Sequence, residues 1–455
     1  MGRHAAPKGA RAHRPTVRAA ARQASARWRL PRHRDLAALG ALSLLTGLVI
    51  GWHPPLILGG ASPASASTPT GKPTAVPSPP AVPSPPADVE WQAPEPEPVT
   101  AEQFAGDASS SDVTTTVFVP EDQHRTITVA GVGDILVHKE VIAQAMEDGG
   151  GTPDFRAQLE GIRPIIESVD LAVCHMEYPL GDYAGPWSAW PDLPNAPPQL
   201  ADGVADIGFD ACSTASNHTL DQGFEGVART ITALQDAGLA HAGSARSESE
   251  AQRITMIDVQ GVPVALLSYT YGFNGIPRPY DWCCNLIEPG IIVADAQRAR
   301  DAGARLVIVA LHQGVEGVSP PTAEQQETVQ ELADSGLVDL VLGHHAHVVQ
   351  PVTRVADMWV AYGHGNLLSA QSRKDPRSGD GLLTTFTFAE QADGSFLGVD
   401  AVGYALVNHD FPFRVMPVTA YGESGTRADA TWSRVSEQAL IPGDASGFRL
   451  IRFAG

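Results

Sequence analysis

The chain has 455 residues and a formal net charge of −20, which is unevenly spread along it. Residues 1–34 contain ten Lys or Arg and no acid, so residues 35–455 carry about −30. A body this acidic argues against nucleic acid as a partner, because binding to a phosphate backbone depends on a basic surface. It remains compatible with a nucleotide or sugar phosphate that a metal ion holds locally.

The first apolar stretch follows that basic tail. Residues 36–52 carry no charge, and 17 residues are near the shorter limit for a membrane-spanning helix. The basic flank predicts a cytoplasmic tail over residues 1–34, a single-pass anchor in the cell membrane over residues 35–58, and an extracellular remainder. A cleaved signal peptide is the alternative, since Ala64-Ser-Ala66 offers a small-residue cleavage site. We favour the anchor because the basic tail is long and a tether follows it.

Residues 59–125 are predicted to be that tether. They contain Pro-Ser-Pro-Pro twice and are rich in Pro, Ala and Ser up to residue 99. Such a linker is a semi-extended spacer that cannot bury a core. The globular domain is therefore expected over residues 126–420, with a weakly patterned C-terminal tail over residues 421–455.

The domain is predicted to alternate strands with helices, which indicates an α/β fold with helices packed on a sheet. One predicted helix precedes the histidine cluster at residues 344–347. It begins with a capping box at Thr322-Ala-Glu-Gln325 and stops at Gly336. In chain order the expected elements are strand 126–135, helix 162–169, strand 171–174, a Pro-rich surface loop 186–198, strand 209–214, helix 224–237, a hairpin over 254–268, an aromatic loop 271–290, helix 293–302, strand 306–311, helix 322–336, and strands 340–342, 359–362, 382–389 and 396–402.

Polar side chains with metal-binding chemistry follow successive predicted strands. They are Asp134, Glu177, Asn217 with His218, His312, and His345 with His347. Ligands bind at the carboxyl ends of strands in open α/β sheets, so we expect these side chains to meet. Acids, an amide and imidazoles together form an oxygen and nitrogen ligand set suited to Zn²⁺, Mn²⁺ or iron. For the histidine cluster after residue 343, a polar loop that serves solubility is the alternative.

The number of these side chains exceeds what one ion needs. Two divalent metal ions, Mn, Zn or Fe, bridged by Glu177 therefore fit the set. A two-metal site activates water and clamps the oxygens of a phosphoryl or acyl centre. His218 is next to the candidate ligand Asn217, and we expect it to face the substrate as a general acid or as a charge stabiliser.

The four cysteines lack a CxxC pair, so neither a structural zinc site nor a thioredoxin-like site is indicated. Cys174 and Cys212 are candidates for a disulfide because both lie on predicted strands of an exported domain. Buried free thiols are the alternative. The adjacent Cys283 and Cys284 have no clear partner.

Together the motifs resemble the CapA (poly-γ-glutamate capsule synthesis) family, a branch of the calcineurin-like metallophosphoesterase superfamily, over roughly residues 127–405. The matching motifs are Gly133-Asp134, Glu177 with Pro179, Asn217-His218-Thr-Leu-Asp221-x-Gly223, Leu311-His312-x-Gly314, Gly343-His-His-x-His347 with Gln350-Pro351, and Gly365-Asn366. The resemblance implies a four-layer α/β/β/α sandwich. It also implies the metal ligands Asp134, Glu177, Asn217, His312, His345 and His347.

The chain departs from the family pattern at several positions. His175 stands where the family usually has Asn, and it either adds a ligand or fills the space. The superfamily's Asp-x-His after the first strand is absent, and His138 lies four residues beyond Asp134. His344 competes with His345 as a ligand, and the spacing to the last histidine favours His345. Contacts to the ligands or to the substrate are expected from His175, Asp221, His344 and Asn366.

The resemblance implies a membrane-anchored extracellular protein of capsule or poly-γ-glutamate biosynthesis, which hydrolyses or transfers the polymer. Its implied partners are the membrane, other polymer-synthase subunits and an anionic polymer substrate. The excess of acid weighs against tight capture of a polyanion, except where metal ions reverse the local field. The alternatives are a non-catalytic assembly or export subunit and a generic metal-dependent phosphoesterase, which simple ester assays would distinguish.

Overall fold

The computed structural model describes residues 125–371, 374–410, 412–420 and 426–454. The predicted cytoplasmic tail, the predicted anchor and all but the last residue of the predicted linker lie outside these ranges. Within them, no helix combines the length and the apolar character that crossing a membrane requires.

The strands of the described residues are β1 (Thr126–Ile135), β2 (Leu171–Met176), β3 (Ala211–Ser213), β4 (Ala240–Ala242), β5 (Thr255–Val259), β6 (Val262–Thr270), β7 (Leu306–His312), β8 (Leu340–His344), β9 (Val352–Val355), β10 (Met358–Ala361), β11 (Asn366–Leu368), β12 (Asp380–Glu390), β13 (Phe396–Asp410), β14 (Phe413–Pro417) and β15 (Arg449–Ile451). The helices are α1 (Lys139–Asp148), α2 (Arg156–Leu159), α3 (Arg163–Ile166), α4 (Gln199–Ile207), α5 (Gly223–Asp236), α6 (Glu248–Ala251), α7 (Pro289–Asp301), α8 (Ala323–Ser335) and α9 (Arg427–Ala439).

Helix α8 begins and ends where its sequence predicts. The hydroxyl of Thr322 accepts a hydrogen bond from the backbone N–H of Gln325 at 3.2 Å. The side-chain oxygen of Gln325 in turn accepts the backbone N–H of Thr322 at 3.0 Å, which completes the capping box. Gly336 ends the helix in the left-handed conformation, with φ of 64°. This helix leads into β8, which carries the histidine cluster to the edge of its sheet.

The strands form two mixed sheets. The first sheet has the order β14-β13-β12-β1-β2-β3-β4, with β11 beside β1 and β15 beside β13. The second has the order β5-β6-β7-β8-β10-β9. Strands β1 to β4 run parallel in the first sheet, as do β6, β7, β8 and β10 in the second. Each sheet therefore presents a row of carboxyl strand ends at one edge.

Three apolar clusters separate four layers. Val141, Leu159 and Val204 of the helices pack on the outer face of the first sheet. A second cluster, which includes Val129 of β1 and Val264 of β6, fills the space between the two sheets. A third cluster joins the second sheet to helices α7 and α8. The described domain is therefore a four-layer α/β/β/α sandwich, as the family resemblance implies.

The residues predicted as a weakly patterned tail extend this sandwich. Helix α9 packs on β12 and β13, and it buries Thr431, Val435 and Ala439 at every fourth position. Strand β15 pairs in parallel with β13. The buried residues of α9 are small or polar, so its inward face gives a weak sequence signal.

Cys174 and Cys212 form a disulfide, as proposed from their strands. They are register partners on the neighbouring strands β2 and β3, and their Cα atoms are 4.4 Å apart. Cys283 and Cys284 are buried free thiols in the loop after β6.

Candidate metal centre

The strand ends of both sheets meet at one place. Asp134 lies in β1, Glu177 directly follows β2, and Asn217 follows β3 of the first sheet. From the second sheet, His312 ends β7, and His345 and His347 follow β8. All six side chains are at least nine-tenths buried. The structure thus brings together the side chains that the sequence predicts as metal ligands.

The position of Asp134 is set first by the close approach of its neighbour Gly133 to the backbone at Gly365. A Cβ at Gly133 would lie 2.2 Å from the carbonyl oxygen of Gly365, so only glycine allows β11 to pass this close. The carboxylate then lies 3.0 Å from Nδ1 of His344 and 3.1 Å from Nδ1 of His347. Burial alone would raise the pKa of Asp134, but the hydrogen bonds from these histidines hold it well below its usual range.

Glu177 is a buried acid without a hydrogen-bond partner in the part of the chain that the structure describes. It is 1 % exposed, and neither carboxylate oxygen has a hydrogen-bond partner among the described residues. Its neighbours are two imidazoles, with Nε2 of His347 at 3.7 Å and Nε2 of His218 at 4.0 Å. Burial raises the pKa of Glu177 well above its usual range. A bare buried carboxylate costs free energy that a bound cation would offset, so this position fits a metal ion.

The pKa of His347 is raised by the two buried carboxylates next to it, those of Glu177 and Asp134. Burial on its own would lower the pKa of this imidazole, but the carboxylates of Glu177 and Asp134 raise it to about 10. A proton on His347 therefore partly neutralises the cluster when no cation is bound. The oxygen of Asn366, predicted to contact the site, lies 3.0 Å from Nδ1 of His347.

The remaining predicted ligands form a nitrogen-rich side of the cluster. Nε2 of His312 lies 2.8 Å from the side-chain oxygen of Asn217, and the rings of His312 and His345 are 4.8 Å apart. Nδ1 of His345 is buried without a hydrogen-bond partner in the described residues. Burial lowers the pKa of His345 to about 4 and that of His312 well below its usual range. Neutral imidazole is the form that binds metal ions.

His175 and His344 lie beneath these ligands. Nδ1 of His175 is 2.8 Å from the hydroxyl of Ser213, and its Nε2 is 2.9 Å from Nδ1 of His312. Its ring stacks on that of His344, with centroids 4.0 Å apart. Both ring nitrogens of His175 are in hydrogen bonds, so His175 orients His312, and a donor atom of His175 also lies close to those of Asp134 and His344.

Three groups of side chains have donor atoms close enough to share an ion, all within 4.8 Å of one another. The groups are Asp134 with Glu177 and His347, Glu316 with His345 and His347, and Asp134 with His175 and His344. Their oxygen and nitrogen donors support the binding of a divalent metal ion. The sequence analysis missed Glu316, although an acid four residues after the end of β7 carries the same strand-end signal as Glu177.

His218 lies beside the cluster, and Asp221 orients its ring through the nitrogen that faces away from Glu177. Its Nδ1 is 2.5 Å from a carboxylate oxygen of Asp221, so its Nε2 is directed toward Glu177. The ring of Tyr178 packs edge-on against His218 at 4.9 Å. Asp221 and Tyr178 thus hold the ring of His218 in one orientation, as a proton donor requires.

The aromatic loop over residues 271–290 contacts the cluster. The ring of Tyr271 lies 4.6 Å from that of His345. The side-chain oxygen of Asn274 accepts a hydrogen bond from the amide of Asn217 at 3.2 Å. This contact, which the sequence analysis did not identify, orients the oxygen of Asn217 toward His312.

The sandwich and the ligand cluster at the carboxyl edges of both sheets define a metallophosphoesterase-like protein. The chain belongs to the family described as bacterial capsule synthesis protein PGA_cap, which matches residues 128–371. This confirms the family that the motifs indicate.

Two relatives carry names from capsule synthesis. The chain is 26% identical to the capsule biosynthesis protein CapA of Bacillus anthracis, over 56% of this chain and 62% of the relative. It is also 26% identical to the PGA biosynthesis protein CapA of Bacillus subtilis, over 42% of this chain and 50% of the relative. The matched part therefore spans between half and two thirds of each relative's length.

Solved structures with weaker likeness include the calcineurin-like phosphoesterase YfkN from Bacillus subtilis. It is 13% identical with a TM-score of 0.37, over 69% of this chain and 97% of that one. A 5′-nucleotidase precursor from Thermus thermophilus is 13% identical with a TM-score of 0.38, over 69% of this chain and 59% of that one. Both scores are below 0.5, so the fold assignment rests on the strand order and layers of this chain.

Proposed function

We propose that this protein is a metal-dependent hydrolase or transferase that acts on a capsule-type polymer such as poly-γ-glutamate. The observation that carries the proposal is the bare carboxylate of Glu177, buried between His347 and His218 with no hydrogen-bond partner in the described residues. A buried acid without a hydrogen-bond partner needs a physical explanation, and a bound cation supplies one. The names of the two capsule biosynthesis relatives supply the substrate class.

Two divalent ions, Mn, Zn or Fe, are the proposed cofactors. Asp134, Glu177 and His347 would hold one ion, and Glu177, Asn217, His312 and His345 would hold the other. Bound there, the ions would supply Lewis-acid activation of water and of the scissile carbonyl or phosphoryl group.

The chain's own residues supply the proton chemistry. Asp221 holds Nδ1 of His218, which leaves Nε2 as the nitrogen that faces the centre. His218 is 8 % exposed and so can reach a bound substrate from a largely dry position. We assign it the role of general acid toward the leaving group. Tyr271, whose ring lies against that of His345, would limit the access of water on that side of the cluster.

The proposed setting is the outer face of the cell membrane. The uncharged run at residues 36–52 would anchor the chain, and the Pro-rich linker would hold the catalytic domain away from the lipid. The Cys174–Cys212 disulfide suits an oxidising, extracellular location. Other subunits of a polymer synthase are the proposed partners.

A non-catalytic assembly or export subunit is the second candidate. The observation in its favour is the acidic body of about −30, which repels a polyanionic substrate at long range. This candidate predicts that the chain supports polymer production without cleaving any bond.

The test is to measure cleavage by the purified full-length chain loaded with Mn²⁺. Poly-γ-glutamate chain length and release of p-nitrophenol from phosphate mono- and diesters would be followed, with the Glu177→Gln variant beside wild type. Metal-dependent cleavage that the variant lacks would support the hydrolase. Metal binding without cleavage of either substrate class would leave the assembly subunit as the better account.

A further inference from the structure

The oxygen-rich half of the candidate centre lacks one expected ligand. The superfamily's Asp-x-His pattern would place a histidine two residues after Asp134, but that residue is Leu136, which is apolar and 3 % exposed. Asp134, Glu177 and His347 are then only three protein donors. Divalent ions such as Mn²⁺ take more oxygen and nitrogen ligands than this.

A further carboxylate lies next to His347, on the loop after β7. The carboxylate of Glu316 is within 4.8 Å of the ring nitrogens of both His345 and His347. Glu316 is exposed, whereas both histidines are 5 % exposed, so it approaches the cluster from the solvent side.

The backbone around Glu316 is held in place from three sides. The N–H of Gly317 donates to the carbonyl of Ala346, the residue between the two histidines, at 2.8 Å. The guanidinium of Arg377 donates to the carbonyl of Gly317 at 2.8 Å. The side-chain amide of Gln350 donates to the carbonyl of Val318 at 2.9 Å. A loop fixed in this way keeps an exposed carboxylate near the histidine cluster at little entropic cost.

We propose that Glu316 is an additional metal-binding residue, which shares a divalent ion with His345 and His347. Together they form a mixed carboxylate and imidazole donor set, which suits Mn²⁺ better than softer ions. This inference rests on the metal centre of the proposed function, and it adds a ligand two residues beyond the Leu311-His312-x-Gly314 motif.

The test is a Mn²⁺ titration by calorimetry, with bound Mn counted by elemental analysis, on full-length wild type, Glu316→Gln and Glu324→Gln. Glu324 is an exposed acid at the start of α8, so its variant matches the charge change away from the centre. We expect two sites in wild type and in Glu324→Gln. In Glu316→Gln we expect one of the two affinities to fall at least about tenfold, with the other unchanged.

The outcomes separate this inference from the proposed function. Two sites of wild-type affinity in Glu316→Gln would overturn the role of Glu316 and leave the metal centre intact. No bound Mn²⁺ in wild type would overturn both. Because Glu316 is exposed and makes no hydrogen bond within the described residues, its variant is expected to melt at the wild-type temperature without metal, which separates ligand loss from misfolding.

Discussion

Nε2 of His218 lies 4.0 Å from a carboxylate oxygen of Glu177, at the border between the acidic and imidazole-rich parts of the cluster. Glu177 is the proposed metal ligand, whereas His218 is positioned to face a substrate as the proposed general acid. The two can be separated experimentally, because Glu177 makes no hydrogen bond in the described residues and His218 is held by Asp221.

Replacing His218 should impair turnover but not metal binding. For His218→Gln we expect kcat to fall about 10²- to 10⁴-fold on whichever ester or amide the wild type cleaves, because a general acid contributes that much. The Mn content should stay at the wild-type value. Asp221→Asn should reduce kcat by a smaller factor, since it only weakens the orientation of the ring. Unchanged kcat in His218→Gln would refute its assignment as the acid.

Replacing Glu177 should instead impair metal binding, with little change in the stability of the metal-free protein. Each bound Mn²⁺ should stabilise the wild type by about 2.7 kcal/mol when the free ion is about 100 times the Kd of its site. Glu177→Gln should lose most of this gain, because its amide is a poor bridge between two cations. Without metal the variant should unfold within about 1 kcal/mol of wild type, since no hydrogen bond is removed. Thermal melts with Mn²⁺ and with EDTA would measure both values, and an equal metal-dependent shift in the two proteins would contradict the bridging role.

The disulfide between β2 and β3 should contribute measurably to stability. It closes a loop with a sequence separation of 38 residues, for which chain entropy predicts about 3–4 kcal/mol. The Cys174→Ala/Cys212→Ala variant should lose about that free energy of unfolding in urea. Reductant should shift wild type toward the variant and leave the variant unchanged. If reductant left the free energy of unfolding of the wild type unchanged, the disulfide would not form in the protein.

Helix α9 should be fastened by a buried ion pair. Arg434 donates to both oxygens of Asp380, at 2.6 and 2.8 Å, and Asp380 is 1 % exposed. Arg434→Leu should lower the free energy of unfolding by about 3 kcal/mol, because it leaves a buried carboxylate without its charge partner. Arg449→Ala is the control, since its pair with Asp400 is exposed and should be worth less than about 1 kcal/mol. Equal effects of the two variants would disprove the difference in burial as the cause.

The sequence predicted much of the fold because parallel strands buried on both faces read as continuous apolar runs. In β7, alternate residues from Leu306 onward face the space between the sheets, and the others face the helices. Such a run identifies a strand but does not say which sheet it joins. The split into two sheets was therefore available only through the family resemblance.

The site was predictable to the extent that its residues follow strands. Asp134, Glu177 and His312 do so directly, and the structure brings them together. Asn274 was missed because a loop's path to the site depends on tertiary hydrogen bonds, which leave no periodic pattern. Glu316 carries the strand-end signal, four residues after β7, but it was not recognised. His364, which the sequence suggests as a surface histidine, is instead fully buried, and its ring lies 2.9 Å from the hydroxyl of Thr384, a partner 20 residues away.

The pairing of β1 with β12 has a practical consequence for anyone who trims this protein. The family match ends at residue 371, whereas β12, β13 and β14 lie beyond it and complete the first sheet on one side of β1. A fragment cut at that limit would leave an apolar strand with a bare edge, which is a template for aggregation. We expect such a fragment to be insoluble, because the foldable unit extends well past the recognisable sequence.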